Sequence, residues 1–426
     1  MENNEQTMKE AYELYVSACK SFESKNYEKG KEFSLNALET YKSVLGDDFN
    51  KEAADVYLIR GKCYKELGEY EEAKNHMLKA LEYYKNTYGD EYIKTQEIYL
   101  YIGICLFELG RYEEAQFFFK KRRELTLLAG FYNAKCYYHL SKYKEARERF
   151  EQIISYWSIE TLTEGEEKKI EFEITAEEIF AECIWYIGLS LYYENKNIKK
   201  HFNKIIEYLN TALECFQKIQ NKNIRIANTY SAIGDCYRRY AEEEWDPFGD
   251  WKKRLKEAIK HYKNALKIYE KELGRDSRHA GICNWDIAIA YYYLHDYDEA
   301  LFWYNESLMI YIKVEGGEDI SVMRLYADIS ECYYYKNSYE EALSLAEVAL
   351  VGFEKYKRET KETDGREKGT RKIKDKCIEK LNKGDLNDDT QNINLLDVAE
   401  NALNSFNRGV EIGEGITKAI LKIRGK

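Results

Sequence analysis

The amino-acid sequence predicts an all-α protein, a solenoid of about eight stacked helix hairpins. A small residue lies twelve positions before the alanine of each clear repeat. The chain of 426 residues has a single proline, Pro247, so the commonest helix breaker is almost absent. Alanines also recur with a fixed step of 42 residues, a period typical of repeat architectures, from Ala73 to Ala115, from Ala258 to Ala300 and from Ala300 to Ala342.

Each repeat is predicted to be a pair of antiparallel helices that cross at the small residue. A small side chain lets two helices approach closely, and a tyrosine three residues later fills the adjoining space. The small residues are Gly61, Gly103, Ala134, Ala288 and Ser330, with Ala18, Gly188 and Gly234 in less regular repeats. The tyrosines are Tyr64, Tyr137, Tyr237, Tyr291 and Tyr333.

The turn between the two helices repeats as well. Gly68 and Gly110 each follow a leucine at the end of a first helix, where glycine adopts the left-handed conformation without steric cost. Ser141, His295 and Asn337 occupy the same place in three other repeats. A second glycine is expected to end the second helix of several repeats, at Gly46, Gly89, Gly274 and Gly316.

These residues resemble the tetratricopeptide repeat family, and the 42-residue step with its A-L-x-x-Y-x-x-x-x-G ending is similar to the variant found in kinesin light chains. The resemblance covers eight repeats, from about residue 8 to about residue 357. It implies a right-handed superhelix whose first helices line a concave face, the usual binding surface of the family. Two features depart from the family pattern: the proline that usually ends the shorter repeat is missing, and the fifth and sixth repeats carry insertions.

The chain is predicted to have three parts. They are a solenoid over residues 1–357 with insertions near 158–175 and 241–256, a charged linker over 358–392, and an amphipathic helical segment over 393–426. The linker is poor in large apolar residues, which favours a mobile segment or a partly formed helix. The last segment either caps the solenoid, occludes its groove, or attaches to a partner or a membrane surface.

The second insertion concentrates aromatic residues. Trp245, Phe248 and Trp251 lie within ten residues that also hold Pro247 and five acidic side chains. Aromatic side chains on a loop can anchor a partner, because such anchors often dominate interface energy. The alternative is that they pack back onto the neighbouring repeat, since three exposed aromatics would invite aggregation.

Composition limits the classes of partner and location. A formal net charge of −11 and a pI near 5.4 argue against a nucleic-acid backbone as the main ligand. The first residues lack the basic and apolar pattern of a secretory signal, and no stretch reaches the roughly 18 apolar residues of a membrane span. We therefore expect a cytoplasmic protein without a transmembrane segment, whose ten cysteines stay reduced.

No catalytic or metal-binding pattern is found in the sequence. The six histidines form no H-E-x-x-H pair, and there is no phosphate-binding G-x-x-x-x-G-K-[ST] run. Five cysteines each lie two residues after the small residue of their repeat, a buried packing position: Cys63, Cys105, Cys136, Cys236 and Cys332. We expect a protein that is not an enzyme and that carries no cofactor or metal.

A ligand is expected on the first helices, at the positions three before, one after and four after the small residue. Most of these side chains are aromatic, which suits a peptide or helix with apolar anchors. The candidate groove residues are Lys62, Lys65, Leu100, Ile104, Phe107, Phe131, Lys135, Tyr138, Trp185, Leu189, Tyr192, Asn228, Asp235, Arg238, Trp285, Ile289, Tyr292 and Tyr334.

Two alternatives stay open for these residues. The basic side chains form either loose patches or separate solvated side chains. The two possible patches are Lys62 with Lys65 and Lys135, and Asn228 with Arg238. If the assumed register is off by one or two positions, the aromatic residues belong to the core between repeats instead.

The leading functional hypothesis is a scaffold or adaptor that binds a protein or peptide segment in the concave groove. One alternative is an intracellular peptide-responsive regulator, in which a short peptide changes the pitch of the superhelix. Another is the non-catalytic regulatory subunit of an enzyme assembly, held to the enzyme through the C-terminal tail.

Overall fold

A computed structural model describes residues 2–45, 51–121, 127–160, 175–243 and 250–384. These residues form seventeen helices, and none of them belongs to a β-strand. The prediction of an all-α fold is therefore confirmed. The helices group into two compact units, residues 1–195 and residues 196–426.

Unit 1 contains nine helices. They are α1 (Glu2–Glu23), α2 (Tyr27–Leu45), α3 (Lys51–Glu66), α4 (Tyr70–Tyr88), α5 (Ile93–Glu108), α6 (Tyr112–Lys121), α7 (Leu127–His139), α8 (Tyr143–Glu160) and α9 (Ala176–Glu194). Consecutive helices pair as the hairpins α1/α2, α3/α4, α5/α6 and α7/α8, and α9 packs against α8.

Unit 2 contains eight described helices. They are α10 (Phe202–Lys218), α11 (Asn223–Glu243), α12 (Trp251–Leu273), α13 (Arg278–Tyr293), α14 (Tyr297–Glu315), α15 (Ile320–Tyr335), α16 (Tyr339–Thr360) and α17 (Glu367–Gly384). Helices α11/α12, α13/α14 and α15/α16 pair as hairpins, while α10 packs on α11 and α17 packs on α15 and α16.

The turns adopt the backbone conformation that the sequence predicts. Gly68 and Gly110 have φ angles of 77° and 73°. The residues in the glycine's place are also left-handed, with φ of 58° at Ser141, 61° at His295 and 64° at Asn337. The glycines that end second helices have positive φ too, at Gly89, Gly274 and Gly316, whereas Gly46 lies outside the described residues.

The small residues lie where the two helices of a hairpin cross. A β-carbon at Gly103 would lie 2.5 Å from Phe119 Cε1, and one at Gly234 would lie 2.6 Å from Tyr262 Cε1. At Gly61 the nearest atom would be Met77 Cγ, at 2.8 Å. In each case a fully buried side chain of the second helix occupies the space that glycine leaves open.

The segment predicted as a charged linker contains ordered helix. Helix α16 continues to Thr360, and α17 follows within the same segment. Helix α17 buries Ile373 and Cys377 against Ala342 and Leu343 of α16. It takes the place of the first helix of a further hairpin and covers apolar surface at the end of the last complete one. The proposed capping, occluding or docking segment 393–426 lies outside the described residues.

Both insertions fall partly outside the described residues. Of the first, residues 161–174 are not described, and of the second, residues 244–249 with Trp245 and Phe248 are not. Trp251 begins α12 and is half-buried against the apolar cluster of α12 and α13. For this residue, the structure agrees with the alternative in which the aromatic side chains pack back onto a repeat.

A histidine packed between two tyrosines recurs in the two units. The ring of His76 on α4 lies 5.7 Å from that of Tyr57 and 5.1 Å from that of Tyr64, both on α3. His261 on α12 has the same relation to Tyr230 and Tyr237, at 5.9 and 5.6 Å. Burial, together with the nearby positive charge of Arg60, lowers the pKa of His76 to about 4.

We expect His76 to make unit 1 sensitive to acid. Because its pKa is lower in the folded chain than the value of about 6.5 in an unfolded one, its contribution is complete above pH 6.5 and is lost as the pH falls towards 4. The loss should be on the order of 1–2 kcal/mol, after allowance for partial exposure. His76→Gln should remove that part of the pH dependence, measured by hydrogen exchange of α3 and α4 at pH 7 and pH 5. His279→Gln, at an exposed ring, is the control. An unchanged pH dependence in His76→Gln would contradict this account.

Candidate functional site

The first helices of the hairpins form one face in each unit. We call the surface of α1, α3, α5, α7 and α9 the unit-1 face, and that of α11, α13, α15 and α17 the unit-2 face. Successive first helices contact one another from α1 to α9 in unit 1, and α15 contacts α17 in unit 2. Residues at equivalent repeat positions on these helices therefore lie side by side.

Every predicted groove residue lies on one of these two faces, and none of them is fully exposed. The buried ones are Leu100, Ile104, Phe107, Phe131, Trp185 and Leu189. The half-buried ones are Lys62, Lys65, Lys135, Tyr138, Tyr192, Asn228, Asp235, Arg238, Trp285, Ile289, Tyr292 and Tyr334. The buried aliphatic and aromatic members are packed largely within the protein, so the half-buried members are the ones that can reach a ligand.

The lysines of the unit-1 face are held by neighbouring side chains. Lys62 Nζ lies 2.5 Å from Glu97 Oε1 and 4.8 Å from the ring centre of Tyr101. Lys65 pairs with Glu66. Each ammonium therefore has a carboxylate partner, and these two lysines do not present a free basic patch.

Lys135 lies among aromatic rings. Its Nζ is 4.6 Å from the ring centre of Phe107, 4.9 Å from that of Tyr132, 5.3 Å from that of Phe131 and 6.0 Å from that of Tyr186. Such contacts stabilise a cation through the negative ring faces. Lys135 thus places its positive charge among aromatic rings that are themselves buried.

A tyrosine hydroxyl reaches the first-helix face in both units. Tyr84 of α4 donates to Asp55 of α3, which also pairs with Lys94 of α5. Tyr269 of α12 donates to Asn228 Oδ1 of α11 at 2.6 Å. Both acceptors lie six residues before the small residue of their repeat, so a repeat alignment could have found Asp55, which the sequence analysis did not name.

Arg238 of the unit-2 face is surrounded by acidic groups. Its Nη1 lies 2.6 Å from Glu242 Oε1, and its Nη2 lies 3.5 Å from Asp235 Oδ1. Tyr262 donates to the same Asp235 oxygen at 2.7 Å. Arg238 therefore forms no basic patch with Asn228, because two carboxylates neutralise its charge.

A second acidic residue, Asp286 of α13, lies on the same face. Burial, together with the negative charge of Asp235, raises its pKa to about 8 against the lowering effect of Arg238. Burial also raises the pKa of Asp235. Each of these carboxyl groups makes ionisation of the other less favourable, because ionising both would place two negative charges together.

A third acidic residue, Asp328 of α15, connects three elements. Trp285 Nε1 of α13 donates to Asp328 Oδ2 at 2.7 Å. Arg366, just before α17, donates from Nε to Asp328 Oδ1 at 2.9 Å and from Nη2 to Oδ2 at 3.4 Å. The sequence analysis missed Asp328, although Asp286 and Asp328 lie 42 residues apart, two positions before their small residues.

Comparison with known sequences identifies the repeat. The sequence profile of the tetratricopeptide repeat matches residues 52–127 and 251–313, which are helix hairpins of unit 1 and unit 2. The chain is a tetratricopeptide-repeat protein. None of the curated proteins compared with it matches significantly.

Solved structures similar to this tetratricopeptide-repeat protein are distant in sequence. RapI in its apo form is 15% identical, with a TM-score of 0.49, over 72% of this chain and 100% of its own. The apo quorum sensor NprR from B. thuringiensis is 13% identical, with a TM-score of 0.46, over 78% and 99%. The nearly identical repeats of a kinesin light chain-like protein of Podosopora anserina are 15% identical, with a TM-score of 0.40, over 55% and 96%. At these values, the comparisons carry no information on what this chain binds.

Eight of the ten cysteines of this tetratricopeptide-repeat protein are buried, and Cys19 and Cys215 are half-buried. Burial raises the pKa of Cys63, Cys105 and Cys136 to about 12, so these thiols stay protonated and are poor nucleophiles. Within the described ranges, no group of three or more His, Cys, Asp or Glu side chains is arranged to hold a metal ion. Nor is any of the described helices both long and apolar enough to cross a membrane.

Proposed function

We propose that the chain is a binding scaffold that holds a peptide or protein segment on its first-helix faces. The observation that carries this proposal is on unit 2, where Asp235, Asp286 and Asp328 stand on three successive first helices. They remain partly accessible to solvent even though the surrounding protein raises their pKa. Partly desolvated carboxyl groups on a rigid surface interact more strongly with the donor groups of a ligand than fully solvated ones do.

Aromatic side chains beside these charges supply the apolar part of such an interaction. Trp285, Tyr292 and Tyr334 are half-buried on the unit-2 face, and Tyr138 and Tyr192 are half-buried on the unit-1 face. Burying the remaining apolar area of each ring contributes about 25 cal/mol per Å². Rings fixed by their neighbours also lose little conformational entropy on binding. Each face therefore combines anchors for apolar side chains with a few orienting charges, as in grooves that bind extended or helical segments.

The proposal predicts that peptide binding depends on side chains of the first-helix faces and not on side chains of the second helices. Peptides selected from a random phage-displayed library on the full-length chain should lose at least about tenfold in affinity for Tyr292→Ala, since a half-buried ring is a typical anchor. Phe302→Ala is the matched control in the same unit, because Phe302 lies on the second helix α14 and is 47% exposed. Affinities of synthetic copies are measured by fluorescence anisotropy.

The outcome of that comparison is decisive in either direction. Circular dichroism first establishes that both variants keep the helical content of the wild type. A set of selected peptides that binds Phe302→Ala as weakly as Tyr292→Ala would contradict the proposal, as would a selection that enriches no peptide at all.

A further inference from the structure

The carboxylate of Asp328 and the ring of Trp285 form a pocket with an occupant from the same chain. The Arg366 guanidinium donates to both oxygens of Asp328, at 2.9 and 3.4 Å, and its carbon lies 5.3 Å from the ring centre of Trp285. Trp285 Nε1 donates to the same carboxylate at 2.7 Å and fixes the ring beside it. Tyr304, on the second helix α14, has a buried ring, and its hydroxyl interacts electrostatically with Asp328 and Arg366.

This arrangement has the features of an arginine-recognition site. A planar guanidinium matches the two oxygens of a carboxylate, and its face interacts favourably with an aromatic ring. An ammonium group offers neither the paired donors nor the flat face. The pocket is therefore selective by geometry for arginine over lysine.

We propose that Trp285 and Asp328 form an arginine-binding subsite of the unit-2 face, and that Arg366 fills this subsite until an arginine of a bound peptide replaces it. This inference rests on the proposed function, since it names one side chain that the bound segment carries. It also gives the segment after the repeats a role as an internal competitor.

The origin of Arg366 makes such an exchange feasible. The pocket belongs to α13 and α15, whereas Arg366 precedes α17, outside the repeated hairpins. Its side chain is 39% exposed, so solvent and solutes reach it. Other contacts hold α17 in place, namely the buried Ile373 and Cys377 and the ion pair of Lys374 with Glu347 at 2.9 Å. Arg366 can thus leave the pocket while α17 stays docked.

The pocket also favours an occupied state. The Asp328 side chain is only 15% exposed, and burial raises its pKa, while Arg366 lowers it. A carboxylate in this position without a cationic partner is costly, because few water molecules can solvate it. Removing the internal arginine should therefore create an affinity for an external one.

The test uses N-acetyl-L-arginine amide as the probe and the full-length chain as the receptor. Titration calorimetry should show a dissociation constant at least about tenfold lower for Arg366→Ala than for the wild type. The double variant Arg366→Ala with Asp328→Asn should lose this gain, because the charged acceptor is gone. N-acetyl-L-lysine amide should bind Arg366→Ala at least about tenfold more weakly than the arginine amide.

Arg371→Ala is the matched control. Arg371 lies in α17, where it pairs with Glu354 and Glu367 and is 49% exposed, so its removal should create no affinity for the probe. Arg366→Gln serves as a second variant of similar length if the alanine variant does not fold.

The proposal is overturned if Arg366→Ala binds the probe no better than the wild type, or if Asp328→Asn leaves the gained affinity intact. Unfolding of both Arg366 variants would also overturn it, because Arg366 would then be a structural element and not an exchangeable occupant. These outcomes are independent of the peptide selection. A chain that selects peptides without arginine would keep the proposed scaffold function and lose only the subsite.

Discussion

Gly103→Ala is expected to destabilise unit 1 by about 3 kcal/mol, because the crossing of α5 and α6 has no room for a β-carbon. That carbon would lie between 2.5 and 2.9 Å from three ring atoms of Phe119. Phe119 is fully buried, so its ring has no free space to enter, and either the helices separate or the ring leaves its preferred rotamer. Hydrogen exchange of α5 and α6, together with urea unfolding followed by circular dichroism, measures the loss.

Two further variants decide whether the close approach is the cause. Gly369→Ala is a matched control, since Gly369 lies within α17 with no atom near its missing β-carbon, and alanine there should stabilise the helix by about 0.5–1 kcal/mol. Phe119→Leu combined with Gly103→Ala should recover part of the loss, because the smaller side chain relieves the contact. Equal effects of the two glycine substitutions would refute this explanation.

The hairpins could be predicted because their signals are local and repeat. A tight crossing requires a small residue, and the turn requires a left-handed one, so both recur with the period of the chain. His295 and Asn337 were predicted to be left-handed from their position alone, and the structure confirms both. The same reasoning placed the candidate residues on the first helices. It could not separate buried Leu100 from half-buried Tyr192, since exposure depends on how neighbouring repeats pack.

Two features had weaker signals in the sequence. The apolar side chains of α17, Ile373, Cys377 and Leu381, follow at steps of four but form one narrow stripe in a strongly charged segment. The contact of Arg366 with Asp328 joins residues 38 positions apart in different elements, and nothing in the local sequence specifies it. The period of 42 residues points to the acidic residues of the unit-2 face but not to their partners.

Arg324→Ala is expected to cost about 3–5 kcal/mol in the docking of α17, because it leaves a buried carboxylate without its cationic partner. Arg324 Nε on α15 lies 2.6 Å from Asp364 Oδ2, and the Asp364 side chain is only 2% exposed. The backbone N–H of Arg366 also donates to the Asp364 carboxylate, at 2.9 Å. We expect α17 to lose protection in hydrogen exchange over residues 367–384, while α11 and α12 keep theirs.

The comparison with a surface pair shows whether burial is the cause. Arg371→Ala removes the ion pairs of Arg371 with Glu354 and Glu367, and because Arg371 is 49% and Glu354 57% exposed, the change should cost at most about 1 kcal/mol. Asp364→Asn in the Arg324→Ala background should restore part of the protection, since a neutral amide is less costly to bury than a carboxylate. If the two arginine variants lose protection equally, the segment before α17 contributes no more than an ordinary surface contact, and α17 is held by its apolar stripe alone.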